Sequence, residues 1–145
     1  MKTLLIGINA KYIHPNLAIR LLKKNTTYPV TIREYTIKDS VSKIVEDILR
    51  FDGDVIAFSC YIWNIEYVLE IMTEIHKLLP QIPVWLGGPE VSYDAAAVLK
   101  AYPQVTGVMK GEGEETFLEV LDYYHGKKES LAEIEGITYR KGAEI

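Results

Sequence analysis

Four short clusters in this chain hold residues whose types and spacing suit ligand chemistry. The first is Asn9-Ala10-Lys11-Tyr12-Ile13-His14-Pro15-Asn16 and the second Ser59-Cys60-Tyr61-Ile62-Trp63-Asn64. The third is Gly87-Gly88-Pro89-Glu90-Val91-Ser92 and the fourth Lys110-Gly111-Glu112-Gly113-Glu114-Glu115. Adjacent glycines let a flat or extended ligand touch main chain, although a tight turn needs nothing more than Gly and Pro. Carboxylates around Gly111, Glu112 and Gly113 suit a helix start and disfavour phosphate there. Tyr61 and Trp63 have two accounts, lining for a planar ligand or a hydrophobic cap. Ser59 is either a donor to a buried ligand or the end of a strand. Cys60 reads as a small buried residue without chemistry.

Several known chemistries are excluded by what these clusters lack. Gly7-Ile8-Asn9-Ala10-Lys11-Tyr12 is no Gly-x-Gly-x-x-Gly dinucleotide fingerprint, and no Gly-Lys-Ser/Thr phosphate loop is present. Asn9 and Ser59 stand near the places where a phosphoacceptor domain needs acidic residues. The first loop is not the Ser/Thr/Gly-rich loop of a flavin phosphate site. Of the histidines, His76 reads as packing on a helix, His125 as a cation at a helix end, and His14 as beside the cleft.

The elements that position these clusters alternate throughout. Leu4–Ile8, Val30–Tyr35, Asp54–Ser59, Val84–Leu86 and Val105–Met109 read as strands, the apolar ones as buried on both faces. Helices are expected after Pro15, after Asp39 or Ser40, after Asn64, over Ala95–Ala101 and after Glu115. The spacing Val41, Ile44, Val45, Ile48, Leu49 is one apolar helical face. The fold class is therefore α/β: a flavodoxin-like, Rossmann-like three-layer sandwich with a five-stranded parallel sheet of order 2-1-3-4-5. In such a sheet all four clusters fall at the carboxyl ends of strands, where ligands bind.

With 145 residues the chain can build one core unaided. A hydrophobic share of 48%, a charged share of 25% and a net charge of −4 argue against a nucleic-acid partner. The single cysteine excludes a disulfide framework and an all-cysteine cluster within the chain. No signal peptide and no membrane-spanning apolar run is evident, so a cytoplasmic setting is expected. Gly136–Arg140 reads as strand-like before a turn at Lys141-Gly142, and the pattern suggests a longer protein beyond Ile145.

Taken together, Asn9–Ala18, Phe58–Asn64, Leu86–Ser92 and Lys110–Phe117 resemble the N-terminal cobalamin-binding domain of cobalamin-dependent radical SAM proteins. Some relatives are named as anaerobic magnesium-protoporphyrin IX monomethyl ester oxidative cyclases. The resemblance implies residues 1–129 as a cobalamin-binding domain and 130–145 as the start of a connector to a radical SAM domain. It implies cobalamin as cofactor, held by Tyr12, His14, Ser59, Tyr61, Ile62, Trp63, Gly87, Gly88, Pro89, Glu90, Ser92, Gly111, Glu112 and Gly113. No catalytic residue and no protein metal ligand is implied. S-adenosylmethionine and a 4Fe-4S cluster would belong to the other domain, because Cys-x-x-x-Cys-x-x-Cys is missing here.

The parent would be a methyltransferase or an oxidative cyclase-like enzyme. Methionine synthase-like cobalamin domains carry Asp-x-His-x-x-Gly in the first loop. Around His14 the matching positions hold Tyr12 and Leu17, so the implied binding mode is base-off and His-off. The alternative is a ligand-free flavodoxin-like interaction domain.

Overall fold

A computed structural model describes residues 2–9, 17–61, 64–110, 114–141 and 145. Strands β1 (Thr3–Asn9), β2 (Val30–Thr36), β3 (Val55–Ser59), β4 (Val84–Gly87), β5 (Gly107–Met109) and β6 (Ile137–Tyr139) form one sheet. Its order is β2-β1-β3-β4-β5-β6. The first five strands are parallel, as their apolar runs imply.

The sixth strand corrects the five-stranded expectation. It pairs antiparallel with β5, Met109 opposite Ile137 and Gly107 opposite Tyr139. A short β5 would otherwise leave an open edge, and β6 covers it. Arg140 then fixes this strand. Its guanidinium donates to the carbonyls of Leu99 and, at 3.3 Å and 3.2 Å, of Tyr102 and Val105. Those carbonyls lie at and beyond the end of α5 (Ala95–Ala101), where a cation also suits the helix dipole. Leu131 and Ile134 are buried in the core. The segment 130–145, expected as the start of a connector, thus supplies residues to this sheet and its packing.

Helices cover both faces. On one side α2 (Val41–Phe51), α3 (Ile65–Leu78) and α5 pack on Leu4, Ile6, Ile8, Ile56, Phe58 and Leu86. On the other, α1 (Leu17–Lys24) and α6 (Glu114–Tyr124) pack on Leu5, Val55, Ala57 and Trp85. The alternation of Leu4 and Leu5 between the two faces is the period of two of a strand. Ser40, one of the two expected caps, starts α2 by accepting from the Lys43 N–H. Asp52 ends that helix at φ 54°.

The second face is closed by aromatic rings. A Cβ on Gly107 would lie 2.5 Å from the Trp85 ring, so only glycine lets the indole cross that strand. The indole Nε1 donates to the Tyr124 hydroxyl at 2.9 Å. Burial pushes the Tyr124 phenol up to about 12. Tyr28, Tyr123 and Tyr139 pack on the same cluster and Tyr35 lies in the opposite core. Tyr93 is instead 97% exposed. Most of the tyrosines described thus serve this domain's own packing. Among the described residues no helix is long and apolar enough to cross a membrane.

Candidate functional site

The parallel register brings Ser59 level with Gly7 on one side and Gly87 on the other. β1 and β3 are neighbours, yet β1 is followed in the chain by β2 on its far side. The gap between their tips is therefore the sheet's topological switch point.

Three predicted residues sit at the ends of β3 and β4. Ser59 ends β3 and is buried, while Gly87 ends β4 and Gly88 follows it, both half-buried. Gly88 has φ 107°, and a Cβ there would lie 2.3 Å from the Cys60 carbonyl oxygen. Main chain thus approaches main chain, locked by the Cys60 N–H donating to Gly87 O at 2.7 Å. Gly87 differs, since its Cβ would meet only Met109 at 3.6 Å, an ordinary contact. Gly87 and Gly88 therefore present backbone, not side chains, at the strand ends.

Pro89 and Glu90 open the single turn α4 (Pro89–Ser92). Ser92 Oγ donates to Gly88 O at 2.7 Å, which commits its proton and leaves its lone pairs for a ligand. Tyr61 is half-buried, and its N–H donates to Asn64 Oδ1 at 2.8 Å. Tyr12, His14, Ile62, Trp63, Gly111, Glu112 and Gly113 lie outside the described residues.

Asn64 is the residue that sequence reasoning placed but misjudged. Expected as a helix cap, it makes no side-chain cap bond to α3. It is 1% exposed, and its Nδ2 donates to Ile8 O at 2.9 Å and to Ser59 O at 3.2 Å. The signal in the sequence was an amide side chain directly after a strand-end loop, which serves a cap or a cross-strand link equally well.

At the outer end of this edge Asn9 Nδ2 reaches Glu34 Oε1 at 3.5 Å. Arg20 donates to the other Glu34 oxygen at 2.5 Å. This charged side sets β1's tip against α1. Lys110, at the end of β5, donates its N–H to Gly136 O at 2.7 Å.

The histidine expectations fare differently. His76 is exposed on α3, because Ile75 takes the inward position beside it. His125 stacks on Tyr28, with ring centroids 3.9 Å apart. Its ring is not a favoured cation as expected. Burial pushes its pKa down, nearby positive charge including Lys127 adds to that, and Asp122 opposes it. Cys60 is fully buried, as read from the sequence. Among the described residues no His, Cys, Asp and Glu group could hold a metal ion.

The family model described as the B12 binding domain matches residues 3–121. The chain belongs to the B12 binding domain family. Its curated relatives include the cobalamin-dependent radical SAM methyltransferase TokK of Streptomyces tokunonensis, 30% identical over 93 residues. That match covers 64% of this chain and 14% of the relative. The 2-(S-pantetheinyl)-carbapenam-3-carboxylate methyltransferase of Streptantibioticus cattleyicolor is 28% identical over 99% of this chain and 22% of its own length. The chain thus spans less than a quarter of either relative.

Among solved structures the B12 binding domain is similar to the cobalamin-dependent S-adenosylmethionine radical enzyme OxsB, at a TM-score of 0.79 and 17% identity. The match covers 99% of this chain and 21% of that one. A cobalamin-binding protein from Desulfitobacterium hafniense matches at 0.58 and 12% identity over 85% of this chain and 58% of its own. At these identities the two structures share the fold with this chain.

Proposed function

We propose that this B12 binding domain holds cobalamin base-off and His-off across the carboxyl ends of its parallel strands. It would serve a radical SAM domain of the same cytoplasmic protein. The observation that carries the reading is the bare main chain of Gly87 and Gly88 beside Ser59, at the edge where such sheets bind ligands. These residues fit the cofactor. Cobalamin is long, flat in part and rich in amides, and this edge offers glycine backbone, Ser59 and the Ser92 lone pairs. Tyr61 and, by the sequence resemblance, Tyr12, Ile62 and Trp63 would face the corrin. Gly111, Glu112 and Gly113 would flank the tail, with Pro89 and Glu90 turning the chain away from it.

When bound, cobalamin supplies a cobalt centre that carries and hands on one-carbon groups. The protein's own part is to bind, orient and shield. Tyr12 and Leu17 in place of the Asp and Gly of Asp-x-His-x-x-Gly support a mode without a histidine on cobalt. The names of TokK and of the carbapenam methyltransferase favour methyl transfer over oxidative cyclisation for the parent.

Titration of the folded chain with hydroxocobalamin under anaerobic, reducing conditions tests this. Saturable binding with a base-off visible spectrum is expected. Folded protein that binds none overturns the reading and leaves the ligand-free interaction domain. A spectrum showing histidine on cobalt, abolished by His14→Ala, overturns the His-off part alone.

A further inference from the structure

We propose that Asn64 is a positioning residue for Tyr61 on the cofactor side of the sheet, acting by tying the tips of β1 and β3 to the Tyr61 backbone. The inference rests on the cobalamin reading above. Three groups converge on one buried amide: Ile8 O from β1, Ser59 O from β3 and the Tyr61 N–H. An amide is the side chain suited to this task, because it donates twice and accepts once from one planar group. Its worth is more than local stability. Ile8 and Ser59 lie at the tips of neighbouring strands at the switch point, Ser59 level with Gly7, and Tyr61 follows two residues after β3 ends.

The backbone of the next residue, Ile65, is already held by Tyr61 O at 2.9 Å, so α3 starts without the Asn64 side chain. The side chain is free of the capping duty and serves the two strand tips instead. The Tyr61 backbone is then held by a link running across the sheet rather than along the helix. A supporting shell of this kind holds ligand-contacting groups in register without touching the ligand.

The test compares four forms of the chain: wild type, Asn64→Asp, Asn64→Ser and Ile75→Val. Aspartate keeps the acceptor for Tyr61 and removes both donors. Serine is uncharged and too short to span the strands, and it covers the case in which the aspartate variant does not fold. Ile75→Val thins the core at the far end of the same helix and reports what lost stability alone does. The readouts are amide exchange over residues 59–65 without cofactor, and the hydroxocobalamin Kd.

Asn64 variants are expected to exchange at least about tenfold faster over that segment and to bind about 10–100-fold more weakly. Ile75→Val is expected to change neither by more than about twofold. Faster exchange with a wild-type Kd overturns the positioning role while the cobalamin reading stands. Unchanged exchange overturns the link itself. Equal weakening in Ile75→Val makes the effect one of stability and overturns the proposal. Wild type that binds no cofactor overturns the cobalamin reading, and the positioning role with it.

Discussion

Gly88 and Gly107 each admit an atom where a Cβ would sit, but what enters differs. At Gly88 it is the Cys60 backbone, so two strand tips are locked main chain to main chain. At Gly107 it is the Trp85 ring, which then bonds Tyr124 and completes a core. The first arrangement fixes the path of the chain and leaves strand ends bare of side chains. The second fills space. The strand-end edge and the packed core thus differ in what their glycines accommodate.

Gly88→Ala should disturb the molecule most. The new Cβ meets backbone that cannot rotate away, at a φ that L-residues avoid. A loss of about 3–5 kcal/mol is expected in urea unfolding. Gly87→Ala, one residue earlier, meets only the end of Met109 and is expected to stay within about 1 kcal/mol of wild type. Under the cobalamin reading Gly87→Ala still weakens hydroxocobalamin binding, since it places a methyl on the bare edge. Gly87 is therefore the cleaner probe of the cradle, because Gly88 carries the fold. Wild-type stability in Gly88→Ala would remove the distinction.

Gly107→Ala should cost less, about 1–3 kcal/mol, because a ring can shift where a backbone cannot. Trp85 emission should change with it, since the indole must move or lose Tyr124. Cofactor affinity should be unaffected in folded protein. Weakened binding at full stability would mean that the two regions are coupled.

The same contrast explains what was legible beforehand. Buried strands such as Val55–Ser59 announce themselves as apolar runs, and the helix over Val41–Phe51 by its apolar face and Ser40. The strand order followed from the alternation of strands and helices. β6 was half legible: Ile137–Tyr139 looked extended, but pairing with β5 depends on an edge that only the assembled sheet has. Arg140 likewise finds its carbonyls at and just beyond α5, 35 to 41 residues earlier in the chain. At the site, glycine pairs and strand-end loops could be read from residue type. The duties of Asn64 could not, since its partners Ile8 and Ser59 meet only across the switch point.

The smallest effect belongs to the packed face and is a pH dependence. His125 stacks on Tyr28 with an interplanar angle of 9°. Tyr28 donates to Asp122 at 2.5 Å, and Lys127 Nζ lies 5.0 Å from the Tyr28 ring centre. His125 Nε2 is buried without a partner among the described residues. Charging the ring there strands a proton away from water, which is why its pKa falls below the ordinary value of about 6.5. A base whose folded pKa is depressed contributes stability that is present above about pH 6.5 and lost as pH falls through the folded value. NMR titration of His125 should therefore show a midpoint under about 6.5. His125→Phe keeps the stack and removes the titration, so its stability should fall less than wild type between about pH 7 and pH 5. A midpoint above the ordinary value would mean that Asp122 outweighs burial and that this face, too, is tuned for charge.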